Sequence, residues 1–296
     1  MKKSTVMQFQ EQEIVNSYFH SQAFFWKNIY TSGGVYAEIH RNRHTMALDW
    51  IDSLALAPGS TALDIGCGAG LMSVALSQRG FHVHAIDSVE AMIEQARKRA
   101  EEHKITDLLN VDIGDVYALA FEDDSFDLVV ALGVIPWLER PELAIQEMAR
   151  VTKPGGYVIL TADNRARLSN LLDPWLNPVF APFKCRVKNS LVRMGLRRQS
   201  PEGAGATCHS RRFIDKALTQ VDLRKTKSIT LGFGPFSLFR HRVVPEPLGI
   251  ALHYRLQHLV DRNIPGFRSA GAHYIVLARK SSSRRSSMRR KPEPRL

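Results

Sequence analysis

Short apolar runs alternate with longer amphipathic stretches along most of this 296-residue chain. Runs with the length and composition of buried strands occupy residues 61–65, 81–87, 126–132, 157–161, 227–231 and 274–280, and a further one ends at a Gly-Asp pair at 114–115. Stretches with helical spacing or helix-start signals occupy residues 41–54, 71–78, 89–103, 139–151, 209–221 and 247–261. Strands that alternate with helices predict an α/β fold with a doubly wound parallel sheet.

Three glycines, Gly66, Gly68 and Gly70, follow the first predicted strand at alternate positions. Glycine accepts a positive φ and lets a ligand approach the backbone, so a strand, a glycine loop and a helix start together predict a nucleotide-binding turn. The spacing differs from the G-x-G-x-x-G of dinucleotide-binding folds, and Asp64, two residues before the loop, would repel a pyrophosphate. The loop therefore favours a ligand with a cationic end over a nicotinamide dinucleotide, and a purely structural turn is the alternative.

Two further acidic residues follow predicted strands. Asp87 ends the second strand, close to the roughly 20-residue offset expected of a ribose-binding acid. Its carboxylate can accept hydrogen bonds from both ribose hydroxyls. The alternative role for Asp87 is to cap the next helix, but Ser88 is better suited to that role. Asp115 follows the third strand, directly after Gly114.

Five features in this order resemble the motifs of type-11-like class I S-adenosylmethionine-dependent methyltransferases. They are the glycine loop, Asp87, the Gly-Asp pair, the acidic turn at 121–127 and the turn at 152–156. The layout is loosely similar to that of ubiquinone-pathway and magnesium-protoporphyrin O-methyltransferases. The resemblance implies a Rossmann-like, doubly wound, mostly parallel seven-stranded sheet. It also implies an antiparallel terminal strand and a helical insertion after strand five.

The resemblance implies S-adenosylmethionine as the cofactor, whose ammonium and sulfonium groups suit an acid in the glycine loop. Met92 would pack on the adenine, with core packing as an equal alternative, and Cys67 would be a small packing residue of the loop. Asp115 would accept a hydrogen bond from the adenine amino group, and the Val116 N–H would serve a ring nitrogen. The implied cofactor-binding residues are Asp64, Gly66, Cys67, Gly68, Gly70, Asp87, Ser88, Met92, Asp115, Val116 and Leu132.

We expect five segments along the chain. These are an N-terminal helical cap (1–54), an S-adenosylmethionine-binding core (55–162), a basic substrate-recognition insertion with returning core elements (163–245), a C-terminal helix and last strand (246–280), and a disordered basic tail (281–296).

Charge divides the chain unevenly. Residues 1–162 carry 13 Lys/Arg and 21 Asp/Glu, whereas residues 163–245 carry 16 and 5. The insertion begins with an apolar stretch and continues with Lys184, Arg186, Lys188, Arg193, Arg197 and Arg198. This composition suits a lid packed on the core, or an element that lies on an anionic membrane surface. The basic tail is either a solvated tail or a segment that binds nucleic acid or anionic lipid.

Methyl transfer from a sulfonium needs alignment more than a covalent nucleophile, but an oxygen acceptor needs a base or prior ionisation. Candidate bases are His44, Asp163 and His209. Candidate substrate-pocket residues are Trp26, Tyr30 and Trp137, for which core packing is the alternative. His40 and His44 are four residues apart but lack a third ligand, so no metal site is expected.

These observations predict S-adenosylmethionine-dependent methyl transfer to a small-molecule or lipid-like acceptor, at oxygen. The alternatives are a nucleic-acid methyltransferase, suggested by the basic half, and an inactive S-adenosylmethionine-binding protein. The Asn/Asp-Pro-Pro-Tyr/Phe motif of amino-group methyltransferases is absent after strand four, where the chain reads Leu-Gly-Val-Ile-Pro-Trp. Without a secretory or membrane-spanning pattern, we expect a cytoplasmic protein, either free or peripheral to the inner face of a membrane.

Overall fold

A mostly parallel β-sheet runs through the protein, which the computed structural model describes over residues 2–180, 183–184, 186–187, 190, 194, 205–239 and 241–282. The sheet strands are β1 (Thr61–Ile65), β2 (His82–Asp87), β3 (Leu109–Ile113), β4 (Phe126–Ala131), β5 (Thr152–Asn164), β6 (Cys208–His209), β7 (Leu223–Leu231) and β10 (His273–Lys280). A separate two-stranded hairpin is formed by β8 (Ser237–Leu238) and β9 (His241–Arg242). The main sheet has the order β3-β2-β1-β4-β5-β10-β7, and β6 pairs with β5.

Helices cover both faces of this sheet. They are α1 (Lys2–Ser21), α2 (Ala23–Asn28), α3 (Val35–Asp52), α4 (Leu71–Ser77), α5 (Glu90–Glu102), α6 (Pro141–Val151), α7 (Leu168–Leu172), α8 (Arg211–Gln220) and α9 (Glu246–Asp261). Successive residues of a strand point to opposite faces, so Ala62 packs with residues of α3, α4 and α5, and Leu63 packs with residues of α6 and α8. Burial on both faces explains why β1 and β4 read as continuous apolar runs.

The predicted fold class is confirmed. Strands β1, β2, β3, β4 and β5 are parallel, and β10 lies antiparallel between β5 and β7. The two-residue β6 is an addition to the seven predicted strands. The strand order reverses beside β1, and in such sheets ligands bind in the crevice outside the carboxyl ends of the strands at this point.

Several predicted element boundaries were wrong, among them the starts of β5, of α3 and of β7, which begins at Leu223 instead of residue 227. Strand β5 begins at Thr152 instead of residue 157, because Thr152 pairs with Phe126 ahead of a register shift in the ladder. Helix α3 begins at Val35 instead of residue 41, because the carboxylate of Glu246 accepts a hydrogen bond from the Val35 N–H at 2.8 Å. A cap supplied from position 246 leaves no signal in the local sequence.

Part of the predicted insertion and tail lies outside the described residues. This applies to Lys188, Arg193, Arg197, Arg198, residues 199–204 and residues 283–296. Among the described residues, none of the helices has the length and apolar character needed to cross a bilayer.

Candidate active site

A cavity of about 700 Å³ lies at the carboxyl ends of β1, β2, β3 and β4. Of the predicted cofactor-binding residues, it is lined by Asp64, Gly66, Cys67, Gly68, Asp87, Ser88, Met92, Asp115, Val116 and Leu132. The predicted acceptor-side residues Trp26, Tyr30, His44, Trp137 and Asp163 also line it. Gly70 and His209 do not. The fold therefore brings residues from six parts of the sequence to one cavity.

The glycine loop needs its glycines for different reasons. Gly66 has φ 63°, and a Cβ on it would lie 2.5 Å from Cγ2 of Val134. Gly68 has φ 53°, and a Cβ there would meet no atom within 4 Å, so its backbone is bare toward the cavity. Gly70, at φ 79°, precedes α4, and a Cβ on it would lie 3.1 Å from Cα of Ala96 in α5. Gly70 thus permits close packing of two helices and lies outside the cavity wall.

Asp87 links the glycine loop to the following helix. Its Oδ2 accepts a hydrogen bond from the Gly68 N–H at 2.9 Å, and its Oδ1 accepts one from the Val89 N–H at 3.0 Å. The prediction that Ser88 caps this helix was wrong, since α5 has no side-chain cap bond from its N-cap and the Ser88 hydroxyl instead donates to Oδ1 of Asn16 in α1. Burial raises the pKa of Asp87 against the lowering effect of these backbone N–H groups.

Asp64 lies beneath the loop and is only 2% exposed. The Ser73 hydroxyl donates a hydrogen bond to its Oδ2 at 2.6 Å. Burial raises the pKa of Asp64 to about 7, the nearby charge of Asp87 adds to the rise, and the Ser73 hydrogen bonds oppose it. A carboxyl in this state becomes fully ionised when a cation is brought close to it.

The end of β3 adds a polar and an apolar group to the wall. Asp115 accepts a hydrogen bond from the Tyr117 N–H through Oδ1 at 2.9 Å. Ile113, which lines the cavity two residues earlier, is 56% exposed, and Met92 of α5 lies on the same wall. Ile113 was missed at the sequence level, although an apolar residue directly before a Gly-Asp pair at a strand end is a usable signal.

Aromatic side chains enclose the other end of the cavity. Trp137 stacks with Tyr18 of α1 at a centroid distance of 5.4 Å and meets Phe19 edge-on at 4.9 Å. Trp26 of α2 contacts Phe19 at 5.7 Å. The N-terminal helices therefore lie against the same cavity as the glycine loop.

The side chains of Asp163 and His273 form a carboxylate–histidine pair on this aromatic wall. Oδ1 of Asp163 lies 3.0 Å from Nδ1 of His273, and Nη1 of Arg167 lies 3.6 Å from Oδ2 of Asp163. Burial alone would raise the pKa of Asp163, but the His273 hydrogen bond and the neighbouring positive charges hold it below its usual value. His273 was missed at the sequence level because it lies at the start of β10, and only the β5–β10 ladder pairs it with Asp163.

The other two predicted bases have different surroundings. His44 is largely buried, and this burial together with the charge of Arg43 lowers its pKa to about 4. His209 lies outside the cavity wall, stacked on Phe213 at 5.1 Å. Of the three candidates, only Asp163 has a titratable partner at hydrogen-bond distance on the wall.

Two more polar residues on this wall were not predicted as pocket residues. His40 is 2% exposed, and neither of its ring nitrogens has a hydrogen-bond partner. Arg43 is 6% exposed, with Nε unpartnered and Nη2 3.5 Å from the hydroxyl of Tyr30. Within the described ranges, no cluster of three or more His, Cys, Asp or Glu side chains has the arrangement of a metal site.

Residues 63–160 match the family model of the methyltransferase domain. This segment is a methyltransferase domain. The resemblance inferred from the motifs is confirmed, and with it S-adenosylmethionine as the cofactor of the domain.

Curated relatives match about two fifths of the chain. The ubiquinone/menaquinone biosynthesis C-methyltransferase of Ruegeria sp. is 36% identical over 124 residues, which cover 41% of this chain and 48% of that relative. The ubiquinone biosynthesis O-methyltransferase of Pseudomonas paraeruginosa is 35% identical over 123 residues, which cover 40% of this chain and 51% of that relative. The chain thus spans about half the length of these curated relatives.

Among solved structures, the magnesium protoporphyrin IX methyltransferase of Synechocystis with bound SAH superposes with a TM-score of 0.61. The superposition covers 91% of this chain and 100% of that chain at 19% sequence identity, which shows a shared fold. The fold shared with that structure therefore extends well beyond the segment that matches the family model.

Proposed function

We propose that this protein transfers a methyl group from S-adenosylmethionine to an oxygen atom of a small-molecule acceptor. The observation that carries the proposal is the Asp163–His273 pair, which lines the same cavity as the glycine loop. A base on the acceptor side is what a hydroxyl acceptor requires, because a neutral hydroxyl is a weak nucleophile.

The cofactor side of the cavity suits S-adenosylmethionine in three respects. The bare backbone at Gly68 admits close approach of a ligand, Asp87 supplies acceptor oxygens for hydroxyl groups, and Asp64 supplies a carboxyl that ionises beside a cation. Asp115 and Ile113 supply a hydrogen-bond acceptor and an apolar contact at the end of β3. When bound, S-adenosylmethionine supplies the electrophilic methyl group, and the protein supplies orientation and exclusion of water.

His273 is the proton acceptor in this proposal. An ionised carboxylate accepts hydrogen bonds only, so Asp163 assigns the imidazole proton to Nδ1 and leaves the Nε2 lone pair available. The low pKa of Asp163 keeps this orientation at neutral pH. Nε2 then takes the proton of the acceptor hydroxyl as its oxygen attacks the methyl carbon.

The acceptor atom is tested by incubating the protein with methyl-¹³C-labelled S-adenosylmethionine and a panel of phenols, carboxylic acids and enolisable carbon acids. We expect S-adenosylhomocysteine to form together with a product whose ¹³C shift is that of a methoxy group. A C-methyl signal would contradict oxygen transfer, and binding of S-adenosylmethionine without turnover on any compound would favour an inactive cofactor-binding protein.

A lipid-like acceptor and contact with an anionic membrane are supported by one surface, which we call the apolar rim. It comprises the exposed side chains Leu171, Leu172, Trp175, Val179, Phe180, Phe183, Leu238, Phe239 and Val243. Hydrogen bonds from Ser237 and Phe239 to Asp173 hold its two segments together. Lys184 and Arg186 follow directly in sequence, so the rim combines apolar area with positive charge, as binding to an anionic interface requires.

A further inference from the structure

We propose that His40 binds a second, uncharged oxygen group of the acceptor, a hydroxyl or a carbonyl, in addition to the hydroxyl that is methylated. This inference deepens the proposed function and rests on it for the position of the acceptor. The binding itself requires no methyl transfer and is tested without it.

His40 is a buried polar side chain whose hydrogen bonds are unmade. It is 2% exposed and lines the cavity, and neither of its ring nitrogens has a hydrogen-bond partner among the described residues. An unsatisfied buried donor or acceptor costs about 1–3 kcal/mol. A leucine would fill much the same space without this cost. The imidazole is therefore explained by a ligand that enters the cavity and supplies the missing partners.

The imidazole of His40 is uncharged at neutral pH. Burial, the charge of Arg43 and the neighbouring His273 lower the pKa of His40 well below its ordinary value of 6.5. A neutral imidazole carries one N–H and one lone pair, so it can donate to an oxygen and accept from an O–H. This pair of functions matches a hydroxyl or a carbonyl group and requires no charge on the ligand.

His40 lies on the side of the cavity that holds the proposed base. Its ring centroid is 5.8 Å from that of His273 and 4.5 Å from that of Tyr36. The rings of Trp26 and Tyr30 meet it edge-on at centroid distances of 5.6 and 6.4 Å. All of these side chains line the cavity. A flat acceptor ring whose hydroxyl reaches His273 can therefore bring a second substituent to His40.

Trp26 adds a second unpaired donor at this end of the cavity. Its Nε1 is buried on the wall, without a hydrogen-bond partner in the part of the chain that the structure describes. Because an indole N–H only donates, its partner must be an acceptor such as oxygen. The wall around His40 therefore favours an oxygen substituent over an alkyl substituent.

The next histidine of α3 lies nearer the glycine loop. His44, four residues beyond His40, interacts through a hydrogen bond with the backbone of Leu71, the first residue after the loop. His40 instead contacts the aromatic wall and His273. The two histidines of one helix thus face different parts of the cavity, and only His40 is assigned to the acceptor.

The test measures binding of ring probes to the full-length protein saturated with S-adenosylhomocysteine, by calorimetry. The probes are the three dihydroxybenzenes and the three cresols, in which a methyl group replaces one hydroxyl at the same ring position. We expect at least one dihydroxybenzene to bind about tenfold or more tightly than its matched cresol, because the methyl group leaves the buried nitrogens unpaired.

Replacing His40 should remove this preference. His40→Leu should abolish it, because leucine offers no hydrogen bond, and His40→Gln should retain part of it, because an amide both donates and accepts. The matched control is His103→Leu, which removes an exposed imidazole outside the cavity wall and should keep the wild-type preference. Thermal unfolding of the ligand-free His40→Leu protein should occur no lower than that of the wild type, because no polar atom is left unpaired.

Three results would overturn the proposal. They are equal binding of every dihydroxybenzene and its cresol in the wild type, a preference that survives in His40→Leu, and a loss of about tenfold or more in S-adenosylhomocysteine affinity in His40→Leu. The last result would mean that His40 contacts the cofactor instead of the acceptor. Each result is read from binding alone, so failure of the proposed methyl transfer on the acceptor panel is seen separately.

Discussion

Asp163 and His273 are cross-strand neighbours in the β5–β10 ladder, and their side chains meet at 3.0 Å on the cavity wall. Strand β10 lies antiparallel between β5 and β7, and its register with β5 places His273 opposite Asp163. The register of one strand pair thus determines whether the cavity holds an oriented imidazole.

Replacing His273 tests its role as proton acceptor. We expect His273→Asn to lower kcat by about 10²–10⁴-fold, the contribution typical of a positioned general base. Asp163→Asn should act similarly, because an amide that donates to Nδ1 drives the imidazole proton onto Nε2. The measurement is kcat against pH for each variant, with S-adenosylhomocysteine affinity expected to stay within about threefold of the wild type.

His103→Asn is the control for this series, because His103 is exposed at the end of α5 and does not line the cavity. His209→Asn tests another of the bases predicted from the sequence. Unchanged kcat in His273→Asn, or a large loss in His209→Asn with the fold intact, would refute the assignment to His273.

Asp87 should determine cofactor affinity. Its carboxylate fixes the Gly68 N–H and faces the cavity, so Asp87→Ala removes a ligand acceptor and loosens the glycine loop together. A hydrogen bond to a charged group is worth about 1.5–3 kcal/mol, which corresponds to a loss of roughly 10–150-fold in S-adenosylhomocysteine affinity by calorimetry. Asp112→Ala, at an exposed carboxylate of β3 that pairs with Arg97 at 3.7 Å, should leave this affinity unchanged. Equal S-adenosylhomocysteine affinities of the two variants would contradict the assignment of Asp87 to the cofactor site.

Asp64 should make the stability of the ligand-free protein depend on pH. Its pKa rises from 3.8 to about 7 on folding, so the folded state binds more protons between these values. The contribution of Asp64 to stability is therefore fully present below about pH 4 and is lost as pH rises through 7. The shift corresponds to about 4 kcal/mol at most, since each unit of pKa is worth about 1.4 kcal/mol.

Denaturant unfolding of the wild type and Asp64→Asn from pH 5 to pH 8 measures this effect. The variant should become the more stable of the two above pH 7, yet bind S-adenosylmethionine more weakly. In the wild type, affinity for this cation should increase up to about pH 7 as the carboxyl ionises. Parallel pH profiles of the two proteins would contradict a buried carboxyl that titrates near neutrality.

Part of the cavity wall was predictable because its residues lie at or directly after strand ends. Asp64, Gly66 and Asp87 lie at strand ends or in the first loop, so apolar runs and spacing were sufficient to place them in one cavity. The rest of the cavity wall was predictable only in part. Trp26, Tyr30 and Asp163 were predicted and line the cavity, whereas Arg43 and His273 were not predicted. The local sequence does not indicate the burial of Arg43 or the pairing of His273, because both depend on contacts between residues far apart in sequence.

The apolar rim should bind anionic vesicles. Trp175→Ser and Phe180→Ser each remove a large exposed side chain, and burying such a side chain contributes about 1.5–3 kcal/mol when complete. We expect the double variant to lose at least about tenfold in affinity for vesicles of phosphatidylglycerol and phosphatidylcholine, measured by sedimentation. Binding of the wild type should weaken with added salt, because part of it comes from Lys184, Arg186 and other basic residues of 163–245.

The control is Ile264→Ser, which replaces an exposed apolar residue just beyond the far end of α9. This variant should bind vesicles as the wild type does. Equal binding to purely phosphatidylcholine vesicles, or no loss in the double variant, would show that the rim is not a membrane surface.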